Sequence, residues 1–223
     1  MRQGHEGAGC TDFIDARPTV ASLSCQVMKR NAYVLLFDGF ADWEAALAMC
    51  EINGGQRYRV VTVGFSREPV VSAGGLNVTP DVALSEIRPA ETAIFIVPGG
   101  EMWESFEDER FFRLLRALHA SAVPLAAICS GTLAVARAGL LNTRRHTSNA
   151  LDYLKAHVPG YAGEGAYVNE LAVSDGGIIT ASGVGSVEFA REIIGLLEIY
   201  ESGDLAVWFD LFKHGILPEP HAV

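Results

Sequence analysis

Cys129 stands where an apolar run, PLAAI (Pro124–Ile128), breaks into Ser-Gly-Thr and a helical pattern begins. A cysteine at a strand-to-helix turn, followed closely by Gly131, has the layout of a nucleophile elbow, in which a small residue leaves room for a sharp turn. The helix N-terminus beyond it supplies the positive end of the macrodipole and free N–H groups, which favour thiolate and predict a lowered pKa for Cys129. The competing reading is a small buried core residue, because free cysteine is among the most buried residue types. Two other stretches carry groups that a reactive thiol needs. Val97-Pro98-Gly99-Gly100 closes an apolar strand, and the backbone N–H of Gly100 can join that of Ser130 in holding an oxyanion. Glu44, in the first turn of a helix after Asp38-Gly39, is a candidate acid; its structural reading is a carboxylate that complements the helix dipole or is solvated.

The remaining candidates are weaker. Cys50, beside Met49 and Ile52, falls on the apolar face of the same helix and reads as structural, while Cys10 and Cys25 precede the first periodic segment. The four cysteines form no C-x-x-C pair, and the six histidines are scattered, so no metal and no cofactor are expected. This cysteine usage fits a reduced, cytoplasmic setting.

Positioning such groups takes a particular order of elements. Tyr33–Phe37 (YVLLF) is a buried-type strand, followed by a helix over Asp42–Ile52 that stops at Asn53-Gly54-Gly55. Arg59–Phe65 is a second strand, Val70–Val78 a small hairpin about Gly74-Gly75, and Thr92–Val97 a third strand. Arg110–Ala120 is an amphipathic helix, Pro124–Ile128 a strand, and Thr132–Leu141 a helix of small and apolar residues. Asn169–Ser182 forms an antiparallel pair about Asp175-Gly176-Gly177; Ser186–Tyr200 is a helix with Ser186 as N-cap, and a last helix runs from Asp204 to about His214. Continuous apolar strands alternating with amphipathic helices predict an α/β fold, a doubly wound and mostly parallel sheet sandwiched by helices. Ligands then sit beyond the carboxyl ends of the strands, at Asp38–Glu44, Pro98–Trp103, Cys129–Thr132 and Gly183–Ser186.

Composition is consistent with one such domain. The chain has 223 residues, of which 49% are hydrophobic and 20% charged, enough to bury a full core. Lys and Arg number 17 against 27 Asp and Glu, a formal net charge of −10, which disfavours nucleic acid as a partner. No apolar run approaches the ~18 residues of a membrane span, so no membrane partner is expected. Residues 1–29 read as an N-terminal extension without periodicity, 30–200 as the domain, and 201–223 as a C-terminal helix and tail.

The order of DGFADWE, VPGG, AAICSGTLAVARAGLL, RRHTSNALDYL and DGGIITASGVGSVEFAREIIGLL resembles the ThiJ/PfpI superfamily over residues 30–200. That superfamily has a flavodoxin-like, class I glutamine amidotransferase-like fold and includes the Parkinsonism-associated deglycase and bacterial stress proteins. The resemblance implies that Cys129 is the nucleophile or oxidisable cysteine, that Glu44 hydrogen-bonds its sulfur, and that the N–H groups of Gly100 and Ser130 form an oxyanion pocket. A carboxylate and a thiolate in contact repel, so the pair should share a proton held on Glu44 and donated to the sulfur. It also implies a homodimer; Trp103, Trp208 and Phe212, read as exposed aromatics, are candidates to cover a partner or a pocket.

Departures from the family pattern bear on activity. Ser130 stands where protease-like members have histidine, and Asn149 fills the slot of the histidine in a later T-T-H segment. His146 is a candidate replacement base, or else a solvated loop residue beside Arg144 and Arg145. Gly183–Ser186 replaces the His-Pro-Glu region of glutamine amidotransferases, and no helix-turn-helix follows the domain, so protease, amidotransferase and transcription-regulator functions are disfavoured. The first expectation is a cysteine-dependent hydrolase, lyase or hydratase acting on a small electrophilic substrate, glyoxalase- or deglycase-like. The second is a non-enzymatic redox-sensing or stress-response protein acting through oxidation of Cys129. The third is a binding module in which Cys129 is unreactive.

Overall fold

The apolar runs form the buried strands of one sheet. The computed structural model describes residues 29–218, so the expected extension before Lys29 and the end of the tail lie outside the described residues. Strands β1 (Arg30–Leu36), β2 (Tyr58–Gly64), β5 (Val82–Ala83), β6 (Thr92–Val97), β7 (Leu125–Ile128), β8 (Ala172–Asp175) and β9 (Ile178–Ala181) form a seven-stranded sheet in the order β5-β2-β1-β6-β7-β9-β8. All neighbours pair in parallel except β8 with β9. Val70–Val71 (β3) and Asn77–Val78 (β4) make the separate antiparallel hairpin expected about Gly74-Gly75.

Every residue of β6 and β7 is buried, which is why these strands read as unbroken apolar runs rather than alternating ones. Helix α1 (Asp42–Gly54) packs against α5 (Ser186–Leu196), and α2 (Glu109–Ala120) against α3 (Thr132–Arg137). The last helix, α6 (Ser202–His214), lies on α5, with the Arg191 guanidinium 4.4 Å from the centre of the Phe209 ring. Trp208 Nε1 donates to Glu51 of α1 at 2.9 Å, and Lys213 Nζ reaches the buried Glu188 at 2.7 Å.

Several expectations need correction. The helix after Cys129 ends at Arg137 rather than Leu141, because Gly139 turns the chain with φ +73°. Ser186 does not cap α5: the cap position is Gly185, without a side-chain bond. Helix α4 (Leu151–His157) and the short edge strand β5 were not anticipated. Trp103 is fully buried and Trp208 nearly so, so of the three aromatics only Phe212 is exposed. Cys50 is exposed on α1, on the rim of an apolar cleft of about 330 Å³ between that helix and the β3–β4 hairpin.

Candidate functional site

The sheet changes its winding direction between β1 and β6, and the loops leaving these two strands part to make a crevice at their carboxyl ends. The β1 loop runs into α1 and is tied to the β6 end where Ala41 N–H donates to Gly99 O at 2.9 Å. Asp42 accepts from Ser72 Oγ at 2.5 Å and from Gly74 N–H at 3.2 Å, which pins the hairpin beside the crevice. Trp103 supports the β6 loop from below, its Nε1 donating to Pro98 O at 2.9 Å and its ring standing edge-on to Phe37.

Cys129 leaves the end of β7 with φ +57°, one of three non-glycine residues with positive φ among the described residues. A left-handed backbone at a strand-to-helix turn is the strained geometry of a nucleophile elbow. Gly131 gives the room that the turn requires, since a Cβ there would lie 2.5 Å from Val97 O.

Glu44 is only 1% exposed and, from the first turn of α1, lies beside Cys129 in the same cavity wall. Its Oε2 accepts from Gly99 N–H at 2.6 Å. Gly99 lies against both partners: a Cβ there would come within 2.8 Å of Cys129 Cβ and 2.9 Å of Glu44 Oε2. Burial raises the Glu44 carboxyl above its ordinary range, against the opposing pull of the Gly99 and Cys129 hydrogen bonds.

The thiol is also raised, which reverses the expectation of a lowered pKa. Burial is the main cause; the Asn149 amide opposes it, the Glu44 charge adds to it, and the Ser130 N–H opposes it. The helix after the elbow is a single short stretch of six residues, and its terminus does not offset desolvation in a pocket that already holds a carboxyl group.

Asn149 is the contact that sequence reasoning placed but did not assign. Its Nδ2 donates to Cys129 Sγ at 3.3 Å, and its Oδ1 accepts from Gly183 N–H at 2.9 Å, which fixes the amide orientation. Its only signal in the sequence was its position in the slot expected for histidine. Tyr153, on the unanticipated α4, also lines the site; burial and the neighbouring Glu104 carboxylate raise its phenol well above the ordinary value.

The expected pairing of Gly100 and Ser130 takes a different form. Gly100 N–H donates to Ser130 Oγ at 2.8 Å, and that hydroxyl donates to Gly100 O at 2.9 Å, so the Gly100 N–H is engaged internally rather than facing the sulfur. The Ser130 N–H, next in the chain to Cys129, is the backbone donor that pulls the thiol pKa down against burial. His146 is not in the cavity wall. It is buried rather than solvated, with Nδ1 2.7 Å from Arg144 O and Nε2 2.5 Å from the Tyr161 hydroxyl, so both ring nitrogens are occupied away from the sulfur.

Cys129, Glu44, Ser130, Gly100, Asn149 and Tyr153 together line a cavity of about 730 Å³. An α/β domain with an elbow cysteine facing a buried carboxyl group at the switch point of its sheet is the class that fold and site define. The chain belongs to the DJ-1/PfpI family, whose pattern matches residues 30–196.

Among its relatives is a Bacillus subtilis protein named as the uncharacterized protease YoaZ, 35% identical over 82% of this chain and 91% of that protein. The crystal structure of a thiJ/pfpI family protein from Bacillus anthracis superposes with a TM-score of 0.80 at 32% identity, covering 85% of this chain and 93% of the other. The glutathione-independent glyoxalase DJR-1.2 of Caenorhabditis elegans is 31% identical over 66% of this chain and 76% of its own length. The deglycase TK1284 of Thermococcus kodakarensis is 26% identical over 74% of this chain and 97% of its own. No helix of the described residues is long and apolar enough to cross a membrane.

Proposed function

We propose that this protein is a cysteine-dependent enzyme acting on a small electrophilic carbonyl compound, in the manner of the relatives named as a glyoxalase and deglycases. The observation that carries this reading is the juxtaposition of Cys129 and the buried Glu44, both against Gly99 and both in the wall of one cavity. A carboxyl group raised toward neutrality by burial is a suitable acceptor for a thiol proton, because general-base efficiency is greatest when the pKa approaches the working pH.

In the first step the Cys129 proton passes to Glu44, and the sulfur lone pair forms a C–S bond with the carbonyl carbon. The carbonyl π electrons move to oxygen, which takes that proton from Glu44 to give a neutral hemithioacetal. In this reading the Asn149 amide, which donates to the sulfur, and the Ser130 N–H bind the oxygen next to it. The Glu44 carboxylate then takes the carbinol C–H proton and returns it to the neighbouring carbonyl carbon while the hydroxyl proton moves to the neighbouring oxygen, giving a 2-hydroxy thioester. Water attacks its carbonyl, displaces the Cys129 thiol and releases the 2-hydroxy acid. Ser130 in place of a histidine, and His146 occupied elsewhere, speak against peptide-bond hydrolysis, which needs a group to protonate a leaving amine.

The test is turnover of a neutral α-oxoaldehyde by wild type and by Cys129→Ser. Loss of turnover in the variant, with its melting temperature preserved, is the expected result. Equal rates in the two proteins overturn the reading.

A further inference from the structure

The cavity over Cys129 has a charge sign. Besides Glu44 at its floor, its wall includes the exposed carboxylates of Asp38, Glu101 and Glu104, and no Lys, Arg or His among the described residues lines it. The neighbouring Arg137 forms an ion pair with none of them: its guanidinium donates to the backbone carbonyls of Trp103, Glu104, Phe106 and His157. Glu104 is oriented by the Tyr153 hydroxyl at 3.1 Å, and His157 Nε2, outside the wall, is 3.8 Å from its other oxygen. A second observation points the same way. Trp43 lines the same cavity and is 56% exposed, and an exposed indole in a wall that also holds carboxylates is a favourable seat for a cation.

We propose that the site selects positively charged electrophiles, those carrying an alkylammonium group a few bonds from the atom that Cys129 attacks, over the same electrophiles carrying an anion. The proposal rests on the reading of Cys129 as the nucleophile of the site. Like-signed charges around a partly enclosed cavity focus the field at its mouth and raise the local concentration of counter-charged ligands by about 10-fold or more. An anionic electrophile meets the same field with opposite sign.

The experiment uses three methanethiosulfonates of one reaction type, with a neutral methyl, a cationic trimethylammonioethyl and an anionic sulfonatoethyl group. In each, the Cys129 thiolate attacks the sulfenyl sulfur, an S–S bond forms, the bond to the sulfonyl sulfur breaks and methanesulfinate leaves; the thiol proton goes to Glu44 or buffer. Rates are read separately at Cys129 and at the exposed Cys50 by peptide mass, so that the overall net charge of −10 acts on both.

The expected result is a cation-to-anion rate ratio at Cys129 about 10-fold above that at Cys50. It should fall toward the Cys50 value in the double variant Glu101→Gln, Glu104→Gln and in about 1 M salt, where the screening length is about 3 Å. Equal ratios at the two cysteines in the wild-type protein overturn the charge selection while leaving the nucleophile in place. Failure of all three reagents at Cys129, with Cys50 modified normally, overturns the nucleophile reading and this proposal with it.

Discussion

The Asn149 amide and the Cys129 sulfur face each other at 3.3 Å, and the amide cannot rotate away without losing its bond to Gly183 N–H. Among the groups that shift this thiol, the Asn149 donor is the strongest one acting against burial. A hydrogen bond to a charged group contributes about 1.5–3 kcal/mol, so Asn149→Ala should raise the thiol pKa further and slow labelling at neutral pH about tenfold or more. The pH dependence of iodoacetamide labelling at Cys129 measures this directly; an unmoved titration curve would show that the amide does not hold the sulfur in solution.

Glu44→Gln separates reactivity from turnover. Loss of the Glu44 charge lowers the thiol pKa, so alkylation at pH 7 should quicken, while turnover falls by about 10²-fold as the proton acceptor disappears. Slower alkylation together with slower turnover would contradict the assigned roles. Stability should respond as well. A carboxyl group whose folded pKa lies above its unfolded value binds its proton more tightly in the folded state, so folding loses stability as pH rises from the ordinary carboxylate range. The neutral glutamine escapes this loss. Its melting temperature should exceed that of wild type at pH 7, with the gap closing toward pH 4.

Gly99→Ala tests the packing between the two partners. The added methyl group has 2.8 Å to Cys129 Cβ and 2.9 Å to Glu44 Oε2, well inside contact distance, and the neighbours on both sides are buried or held by backbone. Overpacking of this kind costs about 1–3 kcal/mol. Thermal unfolding should show the loss, and Glu44→Gln should no longer change the Cys129 titration if the methyl has pushed the pair apart.

His146 should matter for stability and leave the thiol alone. Burial lowers its pKa, so the unfolded chain takes up a proton that the folded chain resists, and stability is lost as pH falls below about 6.5, the ordinary histidine value. In His146→Gln the drop in melting temperature between pH 7.5 and 5.5 should shrink, while the labelling profile of Cys129 stays as in wild type. A changed labelling profile would return His146 to the site.

What could be read from the sequence follows the physics of each feature. The runs at Thr92–Val97 and Leu125–Ile128 are buried on both faces, so their apolar continuity is a local signal, and the cysteine and glycines that follow them announce a turn. Strand β5 is two residues long and exists only through its pairing with Val63 and Gly64, which leaves no periodicity to detect. The bond from Gly100 N–H to Ser130 Oγ joins groups 30 residues apart and depends on a hydroxyl orientation that spacing does not encode. Asn149 approaches the sulfur across 20 residues of chain that bend through a buried Thr147-Ser148 segment. Cys50 misled because its neighbours in sequence are apolar, whereas the helix turns that one position toward solvent.

The left-handed backbone at Cys129 gives the site a thermodynamic cost that outlasts any substrate. An L-residue held there forfeits about 1–2 kcal/mol that glycine would not. The fold therefore carries its thiol as a permanent load, drawn from the surplus of its buried sheet. Substitutions far from the cavity that erode this surplus would leave the cysteine chemistry intact in every folded molecule and still lower the number of molecules that perform it.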